Sequence, residues 1–308
     1  MNPCARDDAT SEEMVDFVAQ DGVRIFGTHY LPKVNEPFSR AVVFNAGAGI
    51  AARHYKHFLR FLASAGIPVL SYDYRGIGIS RPRSLRNFSA TVEDWAELDC
   101  RAAIDWMKAR HGSSLIFGIG HSIGALFFGG PPNAQDLGGV IMISPHTGYY
   151  GDYRREYRVP MALLWHGVMP ALTMILGYFP GRWLRLGDDL PKGVALQWAQ
   201  RRKGITPSRP GDRLGALVCR FSSLRLDAVM ITIADDGFAT EAAALRVQAM
   251  FSGLRFEKWA VAPSDVGLSR LGHFGFFRRV AVGLWQPIIF HVLRERSPEA
   301  TVPMRIAM

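Results

Sequence analysis

The pentapeptide Gly120-His121-Ser122-Ile123-Gly124, set directly after the apolar run Leu115-Ile116-Phe117-Gly118-Ile119, constrains the fold of this chain more than any other feature. A buried strand that ends in Gly-x-Ser-x-Gly and continues into small, apolar residues has to reverse into a helix within about two residues. Such a turn strains the backbone at Ser122 and leaves no room for a Cβ at position 120 or 124. It also exposes the serine hydroxyl at a helix N-terminus, where the dipole favours developing negative charge. Ser122 is therefore the candidate nucleophile, against the plainer alternative of a tight turn without chemistry. His121 is expected to shape the turn beside the substrate rather than to transfer protons.

Other segments follow in an order that suits a nucleophile, an acid and a base. Ala41-Val42-Val43-Phe44 reads as a buried strand entering the loop Asn45-Ala46-Gly47-Ala48-Gly49, which can aim backbone N–H groups at an oxyanion. A helix is predicted from about His54 to Ala65, then a strand leading into Asp73-Tyr74-Arg75-Gly76-Ile77-Gly78-Ile79-Ser80. Downstream, Ile231-Thr232-Ile233 ends in Asp235 and Asp236, either of which can orient a base. His273, in Leu271-Gly272-His273-Phe274, is the candidate base; the one other histidine beyond the acid strand, His291, falls in a predicted terminal helix.

Asp73 to Ser80, taken with Gly120 to Gly124, resembles the serine hydrolases of the monoacylglycerol lipase and serine aminopeptidase type in the α/β-hydrolase superfamily. The likeness to predicted bacterial α/β-hydrolases covers nearly the whole chain. It includes Phe88-Ser89-Ala90 before Asp94-Trp95-Ala96, and Asp189-Leu190-Pro191-Lys192-Gly193-Val194 leading to Trp198. The resemblance implies an α/β-hydrolase fold, a mostly parallel central sheet with helices on both faces and a helical lid insertion. It also implies a Ser122, Asp236 and His273 triad in the order Ser, Asp, His. Asp236 is selected over Asp235 because the acid of such relatives stands four residues before the position held here by Thr240. Aligned on the His-Gly-x-Gly of lipase-type relatives, Ala46-Gly47-Ala48-Gly49 supplies the N–H of Ala48, which joins that of Ile123 in an oxyanion hole, with Gly47 and Gly49 beside the substrate. Ala46 stands where those relatives carry histidine, a change that alters pocket polarity and leaves the backbone donors in place.

The implied reaction is cleavage of carboxylic esters, extending to thioesters or acylglycerol-like lipids, through an acyl-enzyme and with no metal or organic cofactor. Handing the acyl group to an alcohol or amine instead of water would make the same triad an acyltransferase. A non-catalytic binding protein of this fold usually lacks a triad member, and here all three are present.

Composition agrees with one catalytic domain. The chain has 308 residues, 48% of them apolar, and no low-complexity linker between Phe17 and Leu293. A hairpin is predicted over 17–32 with Asp21-Gly22 at its turn, and strands near 40–45, 67–72, 114–119, 137–143, 228–234 and 254–261. The helix from Thr91 to Arg110 spaces Trp95, Leu98, Ala102 and Trp106 as a core face. Residues 1–145 and 213–308 are assigned to the core and 146–212 to the lid. In the lid, the stretch from Val159 to Pro180 has no charged residue and formally reaches the length of about 20 residues that spans a membrane. A single crossing would separate Ser122 from Asp236 and His273, and Pro160, Gly167 and Pro170 are expected to break the stretch into shorter helices. A hydrophobic acyl pocket lined by Trp165 and Met169, narrowed by Gly167→Trp or Ala171→Phe, is therefore expected, with at most peripheral membrane contact. The net charge of +9 is spread over scattered arginines without a nucleic-acid-binding signature, so a small ester is the expected partner. Three dispersed cysteines and an N-terminus without a signal-peptide pattern lead to the expectation of a cytoplasmic protein.

Overall fold

The computed structural model describes residues 9–33, 39–200 and 213–293. Cys4 and the last part of the expected lid, 201–212, lie outside the described residues. The strands are β1 (Thr10–Val18), β2 (Arg24–Pro32), β3 (Arg40–Asn45), β4 (Val69–Tyr72), β5 (Leu115–His121), β6 (Gly139–Ile143), β7 (Tyr178–Phe179), β8 (Leu190–Pro191), β9 (Asp227–Ile233) and β10 (Arg255–Val261). Eight of them form one sheet in the order β1-β2-β4-β3-β5-β6-β9-β10. In this sheet the ladders β1/β2 and β2/β4 are antiparallel and the others parallel, the mostly parallel sheet of an α/β-hydrolase fold, while β7 and β8 pair separately and antiparallel.

Strands β3, β5 and β6 are near-continuous apolar runs because the sheet buries both of their faces. Their register pairs Asn45 with Gly120 and His121 with Ile143, and Ile143 in turn with Ile231. The loops after β3, β5, β6 and β9 thus leave the sheet from one edge, where ligands bind in sheets of this kind.

Two sequence expectations change. The hairpin begins at Thr10, not Phe17, with Thr10 paired to Pro32 and Gly22 at φ +84° in the turn. β1 is an edge strand with most side chains in solvent, so its polar residues do not alternate with apolar ones and carry no strand periodicity. The second change concerns Arg155–Leu176, which forms one helical run of 22 residues, long and apolar enough to cross a membrane by length and composition. The prolines do not divide it. A wide π turn over Leu164–Val168 directly precedes Pro170 and absorbs its missing donor. Trp165 and Met169 on this run are buried, whereas Leu163, Met174 and Ile175 are exposed.

The segment after β4 is scaffold. Asp73 accepts the backbone N–H groups of Ala52 (2.6 Å) and Ile79 (2.8 Å), and a Cβ at Gly78 would lie 1.9 Å from its carboxylate. Tyr74 stacks on Trp95, and buried Arg75 forms ion pairs with Asp99 and Asp21. This network fastens the loop after β4 to the helix that follows Thr91, and the Tyr74 hydroxyl donates to the Ala46 carbonyl (2.9 Å) in the loop after β3.

Candidate active site

Ser122 leaves β5 at φ +57°, a conformation unusual for a residue other than glycine. The flanking glycines are required by contact: a Cβ on Gly120 would sit 2.4 Å from the Ala125 Cα, and one on Gly124 would sit 2.1 Å from the Ala46 carbonyl oxygen. The elbow is thereby pressed against the loop after β3, and Asn45 Nδ2 donates to the Gly124 carbonyl (3.2 Å). Ile123 occupies the first turn of the 3-10 helix Ser122–Gly129, where backbone N–H groups have no partner within the helix.

His121 joins two loops. Gly47 N–H donates to the Tyr55 hydroxyl (3.0 Å), which donates to His121 Nδ1 (2.8 Å). The ring's Nε2–H donates in turn to the carbonyl oxygen of His273 (3.0 Å). Burial, followed by the proximity of His273, holds the His121 pKa well below that of an ordinary histidine, so the ring stays neutral and its tautomer is set by these bonds. Burial likewise raises the Tyr55 pKa, against the opposing effect of the Gly47 N–H, and keeps its proton in place. His121 thus lines the cavity while both ring nitrogens tie the Gly47 loop to the His273 loop.

The two adjacent acids have separate tasks. Asp236 is buried, accepts Phe238 N–H (2.8 Å) and Ala239 N–H (3.0 Å) on Oδ1, and accepts His273 Nδ1–H (2.7 Å) on Oδ2. Burial alone would raise its pKa, but the bond and charge of His273 and the two backbone donors outweigh it and hold the carboxyl below the usual carboxylate range. Half-buried Asp235 instead accepts Leu271 N–H and Gly272 N–H, both at 2.9 Å, and so anchors the loop that carries His273.

His146 is a residue that the sequence reasoning missed. It follows β6 and lies buried with Nε2 at 2.9 Å from Ser122 Oγ, whereas Ser122 makes no hydrogen bond to His273 among the described residues. The rings of His146 and His273 are 5.2 Å apart. A signal was available: Ser144-Pro145-His146 leaves the strand adjacent to the elbow strand, at the same sheet edge.

Gly47, Ala48, Gly49, His121, Ser122, His146 and His273 line one cavity of about 250 Å³. Met161, Leu164, Trp165, Met169 and Trp198 form its apolar wall. Trp165 and Met169, the lid residues singled out in the sequence, are thus among the lining residues. Gly167 and Ala171 are exposed and not among the lining residues, since they lie on the opposite side of the helical run, so substitutions there do not narrow the cavity. Ile123 contributes to the site only through its backbone, its side chain being fully buried. Among the described residues no group of three His, Cys, Asp or Glu side chains is placed to hold a metal ion.

Residues 36–202, which include the Gly47 loop and the Ser122 elbow, match the family described as serine aminopeptidase, S33. The chain belongs to this family. Asp236 and His273 lie beyond the matched residues of this serine aminopeptidase-type α/β-hydrolase. Among solved structures, an esterase of Pyrococcus furiosus is similar over 95% of this chain and 93% of its own, with 15% identity and a TM-score of 0.59. Brefeldin A esterase, described as a bacterial homologue of human hormone-sensitive lipase, matches over 94% and 76% with 16% identity and a TM-score of 0.55. An acylaminoacyl peptidase of Pyrococcus horikoshii covers 94% of this chain, but 43% of its own length is matched, at 14% identity and a TM-score of 0.57. At these identities the likeness is one of fold. No curated protein sequence matches the chain.

Proposed function

We propose that this α/β-hydrolase is a serine esterase acting on small, hydrophobic carboxylic esters, with Ser122 as nucleophile, His273 as general base and Asp236 as the acid that orients it. The observation that carries the reading is the strained Ser122 hydroxyl in an apolar-walled cavity with a histidine whose Nδ1–H is committed to a buried carboxylate. With Nδ1 occupied, the basic lone pair of His273 is on Nε2, the nitrogen that has to receive the serine proton. Ser122 and His273 line the same cavity, and in this reading their contact closes when substrate binds, as catalytic hydrogen bonds often tighten only in the complex.

In the proposed reaction Ser122 Oγ attacks the acyl carbonyl as His273 takes its proton. The oxyanion is held by the N–H groups of Ile123 and Ala48, neither of which has a described partner in the free protein. The alcohol leaves with the proton from His273, and water repeats the sequence on the acyl-enzyme. In this reading the segment from 146 to 212 acts as a lid whose Met161, Leu164, Trp165 and Met169 receive the acyl chain.

A series of p-nitrophenyl esters tests this. Each methylene buried in the cavity contributes up to about 0.8 kcal/mol, or nearly fourfold in kcat/KM, until the cavity is filled. Activity should rise from acetyl to medium chains and then level off. A flat profile contradicts the acyl-pocket assignment, and faster transfer to an added alcohol or amine than to water marks an acyltransferase.

A further inference from the structure

Two residues at the carboxyl ends of neighbouring strands have left-handed backbones although neither is glycine: Ser122 after β5, at φ +57°, and Ser144 after β6, at φ +49°. The first is the elbow. The second turns Pro145-His146 inward, and the result is the 2.9 Å contact between His146 Nε2 and Ser122 Oγ. Strain of this kind persists where the surrounding structure enforces it, and it clusters at functional sites.

The direction of that hydrogen bond is determined by its surroundings. Gly148 N–H donates to His146 Nδ1 (3.0 Å), so Nδ1 carries a lone pair and the proton of the neutral ring is on Nε2. His146 is therefore a donor to Ser122 Oγ and is not placed to be a base. His273 has the opposite arrangement, with Nδ1–H on Asp236 and a lone pair on Nε2. One histidine at the site presents a donor and the other an acceptor.

We infer that His146 is a catalytic residue that stabilises Ser122 Oγ as a leaving group when the acyl-enzyme breaks down, an inference that rests on the nucleophile assignment above. In the acyl-enzyme Oγ is an ester oxygen and a poor acceptor. When the tetrahedral intermediate collapses, the carbon–Oγ bond breaks, its electron pair goes to Oγ, and the proton on His273 Nε2 moves to that oxygen. His146 keeps its own proton throughout. A fixed N–H aimed at Oγ gains strength as negative charge returns there, and it counts for more in this step than in the initial attack, where it also stabilises the resting hydroxyl.

The test compares wild type with His146→Leu, His146→Ala and His146→Gln, the last of which retains a donor. Two readouts are needed: the rate of fluorophosphonate labelling, which reports attack alone, and stopped-flow hydrolysis of p-nitrophenyl butyrate. In the Leu and Ala variants labelling should stay within about threefold of wild type while kcat falls about tenfold or more, with a nitrophenolate burst of about one equivalent. The Gln variant should recover most of kcat. Equal losses in labelling and kcat, or an unchanged kcat without a burst, would overturn the role of His146. Wild-type label found elsewhere than on Ser122 would instead overturn the nucleophile assignment, and the His146 role with it.

Discussion

Replacing Asp236 by Asn should remove nearly all activity for a reason that can be worked from the hydrogen bonds. Asp236 Oδ1 accepts two backbone N–H groups, from Phe238 and Ala239, whereas Oδ2 accepts one, from His273 Nδ1. An asparagine has one acceptor oxygen, and the two backbone donors claim it. Its NH2 group then faces His273 and forces Nδ1 to become an acceptor, which moves the ring proton to Nε2. In that tautomer His273 cannot take a proton from Ser122. The loss expected for a wrongly protonated triad histidine is about four orders of magnitude in kcat, or about 5.4 kcal/mol of transition-state stabilisation. Asp235→Asn keeps an acceptor for one of its two backbone partners and leaves the other N–H unsatisfied, at a cost of about 1–3 kcal/mol in stability. Its kcat should remain within about tenfold of wild type, because it acts on the loop and not on the proton. Steady-state kinetics on a p-nitrophenyl ester, with unfolding curves for each variant, check both values. A larger loss of kcat in Asp235→Asn than in Asp236→Asn would refute the reasoning.

Ser122→Gly should be inactive yet more stable than Ser122→Ala by about 1 kcal/mol, because glycine relieves the φ +57° strain and alanine does not; denaturant midpoints measure the difference. Leu164→Trp should shift the preferred ester to a shorter acyl chain, whereas Ala171→Phe on the exposed side should leave the profile unchanged, as the ester series would show. The Asp236 carboxyl is depressed in the folded state, so it adds stability that is fully present above its unfolded pKa of about 4 and is lost as pH falls through its folded value. Acid unfolding curves of Asp236→Asn should therefore fall less steeply below about pH 4 than those of wild type.

Much of the fold was legible because its signals are local. The apolar runs of β3, β5 and β6 and the glycines around Ser122 respond to burial and contact distances that a few adjacent residues specify. β1 escaped in part, since an exposed edge strand needs no apolar face, and the helical run Arg155–Leu176 continued through Pro160 and through Pro170, which follows a π turn. At the site, the glycine pattern marks Ser122 from sequence alone, whereas assigning Asp236 rather than Asp235 rests on family spacing. The role of Asp235 and the position of His146 had no local signature. Both depend on loops brought together by the order β5-β6-β9, and that adjacency is a property of the sheet. The Asp73-Tyr74-Arg75 segment shows the converse: a conspicuous motif whose side chains hold neighbouring loops in place.

The central claim, that Ser122 is the nucleophile of a serine hydrolase, is tested most directly by treating the folded protein with a fluorophosphonate and locating the adduct by peptide mass spectrometry. The account predicts a single stoichiometric adduct on Ser122, its absence from Ser122→Ala, and loss of ester hydrolysis in step with labelling. Turnover that persists in a folded Ser122→Ala protein, or an adduct on another residue, would contradict it.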